Sequence, residues 1–142
     1  MRRALLDVNV LIALMDPDHA AHERVHAWAD EGLVGGWATC ALTQNGFVRV
    51  ISQPRYPSPL PVGAAIGLLG EATADSRHTF WSCELSLTDP SIVSSRLLGH
   101  RQITDTYLLA LAVSNDGAVV TLDANIDPTT VAGASREHLV VV

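Results

Sequence analysis

A short apolar run, Ala4-Leu5-Leu6, ends on Asp7 and is followed at once by the helix-like stretch Val8-Asn9-Val10-Leu11-Ile12-Ala13-Leu14. A charge therefore interrupts what would otherwise be one buried element. An unpaired carboxylate held away from water is costly enough that it neutralises, finds a partner or binds a cation. The device recurs near the other end, where Ala118-Val119-Val120-Thr121-Leu122 reads as a buried strand running into Asp123. A third acid, Asp105, opens the apolar helix Thr106-Tyr107-Leu108-Leu109-Ala110-Leu111-Ala112-Val113. In open α/β sheets the carboxyl ends of the strands face the ligand crevice, so acids gathered there are suited to holding a divalent cation against a phosphate.

The rest of the pattern supports such a sheet. Residues 3 to 7 predict a first strand and Val8 to Met15 a short helix, closed by Asp16-Pro17-Asp18. A second helix is expected from about His19 to Glu31, with Ala21, Val25, Trp28 and Ala29 at helical spacing and Gly32 near its stop. Gly35 to Cys40 predicts a second strand, and Thr43 to Ile51 a helix on whose one face Leu42, Phe47, Val50 and Ile51 gather. A proline-rich loop from Pro54 to Pro61 precedes a helix over Val62 to Ala74 and a short strand, Thr79-Phe80-Trp81. Asp89-Pro90 predicts a capped helix through about Leu98, and the loop Gly99-His100-Arg101-Gln102 leads into the Asp105 helix. The tail Leu139-Val140-Val141-Val142 predicts a last strand. Strands alternating with helices imply an α/β fold with a mainly parallel sheet covered on both faces. At 142 residues and 48% hydrophobic content, one domain over 1–142 with a sizeable core is expected.

Composition excludes several chemistries. All nine basic residues are arginine, and a P-loop, a Schiff-base enzyme, and the receiver and haloacid-dehalogenase phosphoryl-transfer sites all rely on lysine. The net charge of −6 argues against a non-specific nucleic-acid coat, since affinity for a polyanion rests on basic residues neutralising phosphates. An enzyme can still bind RNA if metal ions offset its acids and arginines such as Arg49, Arg55, Arg96 and Arg101 guide the backbone; each of these also reads as ordinary solvated surface. Cys40 and Cys83 form no CxxC pair and are expected to be reduced thiols acting as small hydrophobes. No apolar run is long enough for a membrane span, and Asp7 breaks the core a signal peptide would need, so a cytoplasmic protein without membrane association is expected.

One motif competes for attention. His22-Glu23-Arg24-Val25-His26 fits the HExxH pattern of zinc proteases, with His19 just upstream. Zinc needs a third protein ligand, and Trp28-Ala29-Asp30-Glu31-Gly32 lacks the extended histidine pattern, which favours a surface or interface helix. Trp28, Trp37 and Trp81 are likewise expected in core or dimer packing and not as base-stacking platforms. Taken singly, Asp105 could merely complement a helix dipole, and Asp123 with Asn125 and Asp127 could form a turn. Asp7 has no comparable excuse.

The opening Leu6-Asp7-Val8-Asn9-Val10-Leu11-Ile12-Ala13-Leu14, the middle Leu42-Thr43-Gln44-Asn45-Gly46-Phe47-Val48-Arg49-Val50 and the late Gln102-Ile103-Thr104-Asp105-Thr106-Tyr107-Leu108-Leu109-Ala110-Leu111-Ala112 resemble the successive signatures of PIN-domain ribonucleases. Within that superfamily the chain is most similar to VapC-type toxins of bacterial toxin–antitoxin pairs. The resemblance implies a three-layer α/β/α sandwich, Mg²⁺- or Mn²⁺-dependent endonucleolytic cleavage of RNA, homodimerisation and neutralisation by a small cognate antitoxin. It also implies that Asp7, Asp105 and Asp123 are metal-site acids. Gln44 departs from the pattern, because family members often carry glutamate there. A neutral amide can accept a hydrogen bond from a metal-bound water but brings no charge to a second cation, so one tight ion and a second carried in by substrate is the expected variant. Asn9 and Asp127 lie near enough in sequence to assist. The competing reading is a catalytically silent PIN fold that binds RNA or antitoxin, with Gln44 marking the loss of activity.

Overall fold

The computed structural model describes all of residues 1–142. Five parallel strands form its sheet: β1 (Ala4–Leu6), β2 (Trp37–Cys40), β3 (His78–Trp81), β4 (Ala118–Thr121) and β5 (Leu139–Val141). Their order is β3-β2-β1-β4-β5. The chain thus builds outward from β1 in one direction and then returns to add β4 and β5 on the other side. That reversal leaves a crevice between the carboxyl ends of β1 and β4, where ligands bind in doubly wound sheets.

Five α-helices cover the sheet: α1 (Val8–Met15), α2 (His22–Gly32), α3 (Ala41–Ile51), α4 (Val62–Thr73) and α5 (Ile103–Ser114). Successive side chains of a strand point to opposite faces, and two cores follow from that alternation. Ala4, Leu6, Trp37 and Val120 meet Val10, Leu11, Val25, Phe47 and Leu69 of α1 to α4 on one face. Leu5, Ala38, Cys40 and Val119 meet Leu108, Leu109 and Leu111 of α5 on the other. The result is the expected α/β/α sandwich.

Boundaries moved where local hydrogen bonds outweighed pattern. β1 stops at Leu6 because Asp7 becomes the N-cap of α1, its side chain accepting from Val8 N. α2 begins at His22 and not His19, because His19 N bonds Asp16 O and His19 Nδ1 accepts from Ala21 N, closing a turn first. The helix expected from Asp89-Pro90 through about Leu98 is absent. Asp89 Oδ1 accepts from Ser91 N at 2.9 Å, which ends the turn, and Ile92 then bridges Val131 while Val93 N bonds Thr130 O; only a 3-10 turn, Ser94–Arg96, remains. Long-range backbone partners had taken the donors that a helix needs. Trp37 and Trp81 are buried and Trp28 packs against the first core, as expected, and Cys40 is buried. Cys83 departs from its expectation: it lies exposed past the end of β3. No helix is long and apolar enough to cross a membrane.

Gly46 sets how closely α3 approaches the start of α1. A Cβ there would come within 2.5 Å of Val8 Cγ2, so only glycine lets α3 lie against the residue that follows Asp7.

Candidate active site

Asp7 and Asp123 follow β1 and β4, the two strands that flank the crevice, and Asp105 lies in the first turn of α5, which runs back antiparallel to β4. Asp7 is 7% exposed, and both its carboxylate oxygens are engaged. Oδ1 accepts from Val8 N at 2.7 Å and Oδ2 from Thr121 Oγ1 at 2.8 Å. Burial pushes its pKa up, the Thr121 and Val8 hydrogen bonds oppose that, and the charge of Asp123 adds to it.

Thr121 was not anticipated as a site residue, and it is the hub of this edge. Its fully buried hydroxyl donates to Asp7, accepts from Asn9 Nδ2 at 3.3 Å, and accepts from Asp123 N at 3.1 Å. Asn9 completes the tie by accepting from Leu122 N at 3.2 Å through Oδ1. One hydroxyl therefore fixes Asp7 relative to Asp123. The only signal in the sequence was a polar residue inside an otherwise apolar strand.

Asp123 Oδ1 accepts from Asn125 N at 2.8 Å, closing the turn after β4. Asp105 differs from both, for no protein donor reaches its half-buried carboxylate. Burial first, then the charges of Asp7 and Asp123, push its pKa up to about 6. Asp7 thus senses Asp123, Asp105 senses both, and no arginine or histidine offsets them there. They do not close into a ready-made cage: no three His, Cys, Asp or Glu side chains anywhere in the chain are gathered closely enough to share one ion.

Gln44 lies in the first turn of α3, after the carboxyl end of β2 and so on the same edge of the sheet. Its Nε2 donates to Thr39 Oγ1 at 3.0 Å, and none of the three acids is its hydrogen-bond partner. Asp127 stands apart as the cap of a 3-10 turn, Pro128–Thr130, accepting from Thr129 N and Oγ1. The Thr129 hydrogen bonds hold its pKa down.

The HExxH histidines belong to a different structure. His22 Nδ1 bonds the carbonyl of Ala13 at 2.7 Å and His26 Nε2 that of Leu14 at 2.9 Å. Those carbonyls are in the last turn of α1, where helix geometry leaves them without backbone partners, so the two rings cap α1 from the neighbouring helix. The two rings lie tilted at 50° to each other, with centroids 4.2 Å apart.

Residues 4–130 match the PIN domain. Ribonuclease VapC44 of Mycobacterium tuberculosis (strain H37Rv) is 58% identical over 138 residues, covering 96% of this chain and 97% of that protein. The chain belongs to the VapC branch of the PIN-domain family. Other VapC proteins of that organism extend the likeness. Ribonuclease VapC38 is 40% identical over 124 residues, with 87% of this chain and 86% of that protein covered. Ribonuclease VapC39 is 38% identical over 136 residues, with 92% and 95% covered. The PIN match over residues 4–130 includes both strands that the acids follow and Asp105 between them.

Proposed function

We propose that this PIN-domain chain is a VapC-type toxin, an endoribonuclease that hydrolyses RNA phosphodiester bonds at the crevice between β1 and β4 with a divalent ion bound, partly through its own waters, at the edge that Asp7, Asp105 and Asp123 line. The observation that carries this reading is the state of Asp105. A carboxylate pushed up to about 6 by burial and by two neighbouring acids, with no protein donor, is a group whose favourable partner is a cation. The donor set is all carboxylate oxygen, which suits Mg²⁺ or Mn²⁺ and not zinc. Mg²⁺ keeps several of its waters, so acids that line an open edge without forming a cage fit it.

When bound, such an ion lowers the pKa of a water and offsets the charge of the phosphate that water attacks. The chain's own residues do the rest. Thr121 and Val8 N hold Asp7 in one orientation, and each Asp7 oxygen retains a further lone-pair direction. Asp123 is held through Oδ1 by Asn125 N, which leaves Oδ2 for a ligand. The first turn of α5 places backbone N–H groups and the positive end of the helix beside Asp105, favouring its anionic form once a cation is present. Gln44 would accept a hydrogen bond from a water on this edge and contributes no charge. Arg49, Arg55, Arg96 and Arg101 are exposed, and none is in an ion pair. They are therefore free to meet an RNA backbone. A small antitoxin protein and a second copy of the chain are the partners this family membership suggests.

The test is cleavage of structured RNA, with ribosomal and transfer RNA as substrates, in Mg²⁺, in Mn²⁺ and in excess EDTA. Cleavage is expected only with a divalent ion. Undiminished cleavage in EDTA would overturn the proposal.

A further inference from the structure

Gln44 is the one position where this chain departs from the acidic pattern of the site, and its surroundings account for the departure. Its Nε2 lies 3.0 Å from Thr39 Oγ1, and the same Thr39 oxygen lies 2.8 Å from His78 Nε2. Thr39 is fully buried, so its hydroxyl is closed to bulk water and meets these two side chains. Three polar groups thus form a line that runs from β3 through β2 to the first turn of α3.

The direction of the protons along that line follows from its middle. The His78 ring is gripped at its edge by Trp37, with centroids 4.6 Å apart. The Thr39 hydroxyl has Gln44 and His78 as its two hydrogen-bond partners, and once its oxygen accepts from Gln44 Nε2 its own proton is left to His78 Nε2. Burial and the charge of Arg3 hold the His78 pKa down, against the opposing charge of Asp75, and the ring is neutral at neutral pH. A neutral imidazole with one nitrogen protonated leaves the other bare. Nε2 is then the acceptor, Thr39 donates its hydroxyl proton to it, and the Thr39 oxygen accepts from Gln44. Only the NH₂ of an amide can make that last bond.

We propose that Thr39 and His78 are positioning residues that hold the Gln44 amide with NH₂ inward and its carbonyl oxygen toward the acidic edge, so that glutamine is specified at this position by the line beneath it. This rests on the ribonuclease reading for its functional consequence, but not for its geometry. A glutamate at 44 cannot donate to Thr39. It would have to accept the Thr39 proton, Thr39 would have to accept from Nε2–H, and His78 would have to change tautomer or take up a second proton. Gln44 is then a built part of the site and not a degraded carboxylate.

Two measurements test this. The first needs no activity: nitrogen-15 correlation spectra of the His78 ring in the wild-type protein at neutral pH should show Nδ1 protonated and Nε2 bare. In Gln44→Glu the proton should appear on Nε2, with Nδ1 bare or also protonated. An Nε2-protonated ring in the wild type overturns the proposal, whether or not the protein cuts RNA. The second is a double-mutant cycle on RNA cleavage. His78→Phe, which removes the acceptor and lets the amide flip, should lower kcat about tenfold with KM little changed. His78→Gln, which restores a neutral acceptor, should recover most of that loss. In a Gln44→Ala background His78→Phe should cost nothing further, because the group it positions is gone. An equal loss in both backgrounds would make His78 a merely structural residue and overturn the proposal. If His78→Phe does not fold, the spectra alone decide; if the wild type cuts no RNA, the ribonuclease reading fails while the spectra still judge the line.

Discussion

Two regions of this molecule carry side chains of the kind that bind metals, and they treat those side chains in opposite ways. On α2, His22 and His26 sit one helical turn apart and are both committed to carbonyls at the end of α1. At the crevice between β1 and β4, Asp105 has no protein donor at all, and Asp7 and Asp123 retain open lone pairs after their protein contacts. The α2 spacing matches a zinc motif, yet its geometry answers a need of the fold, namely two orphan carbonyls. The crevice spacing, with residues 7, 105 and 123 scattered along the chain, matches no short motif, yet its geometry leaves a need unanswered. Unsatisfied capacity therefore separates a site from a support more sharply than ligand spacing does.

The most severe test of that contrast is to remove one acid. Asp7→Asn or Asp105→Asn should lower RNA cleavage by at least about 100-fold while circular dichroism stays native, since the loss falls on the reacting step and not on the core. Loss of activity with loss of fold in both variants would mean that these carboxylates are supports like the histidines. The converse experiment is His22→Gln with His26→Gln. Cleavage should stay within about threefold of wild type, and the protein as isolated should contain no stoichiometric zinc. Stability should fall by about 2 kcal/mol, as two helix-end carbonyls lose their donors at about 1 kcal/mol each. One zinc per chain, lost together with activity in the double variant, would invert the comparison.

Much of this contrast is legible in the amino-acid sequence. An acid directly after a buried apolar run is conspicuous because the run itself announces burial, and Asp7 and Asp123 both stand so. The alternation of strands and helices carried the sheet, and the parallel order follows from it. What could not be read were features that depend on partners distant in sequence. Thr121 looks like an ordinary β-branched strand residue until β1 is placed beside β4. The turn and bridge at Asp89–Val93 replaced a helix because Thr130 and Val131, on the far side of α5 and β4 in the chain, supply backbone partners. The histidines showed their spacing plainly and their targets not at all, since the carbonyls of Ala13 and Leu14 have no signature in side-chain pattern. Cys83 reads as a small hydrophobe from its mixed segment and the lack of a CxxC partner, and its exposure follows only from where β3 ends.

Burial of Asp105, reinforced by repulsion from Asp7 and Asp123, gives a smaller and pH-dependent effect that the histidines cannot mimic. The Asp105 pKa rises from 3.8 unfolded to about 6 folded, so below pH 4 both states hold the proton and the group contributes nothing. As pH climbs through the window from about 4 to about 6, the unfolded chain releases its proton first, and the folded state loses stability. The metal-free protein should therefore be less stable at pH 7 than its other groups dictate, by about 1 kcal/mol after discounting for solvent screening of a half-exposed group. Asp105→Asn should raise the metal-free Tm at pH 7 by about 2–4 °C and leave it unchanged at pH 4. Millimolar Mg²⁺ should stabilise the wild type and not the variant. A Tm gain of equal size at both pH values would show that the charge of Asp105 is not its cause.

Gln44 stands between the two regions, and its effect is the finest. Like the histidines, one end of its side chain is committed, Nε2 to Thr39; like the acids, its other end is open. Replacing the amide with a carboxylate adds a fourth acid to the edge without moving the backbone. Each added charge strengthens cation binding at a site of low dielectric, so Gln44→Glu should lower the Mg²⁺ concentration for half-maximal cleavage by a few-fold. The same charge adds repulsion in the metal-free state, so stability without Mg²⁺ should fall as affinity for it rises. Gln44→Ala removes an acceptor for water and not a charge, and should cost less activity than Asp7→Asn. Metal titrations of cleavage on the three variants separate these cases. An Mg²⁺ dependence identical in wild type and Gln44→Glu would place residue 44 outside the reach of the ion, and would move it from the side of the acids to that of the histidines.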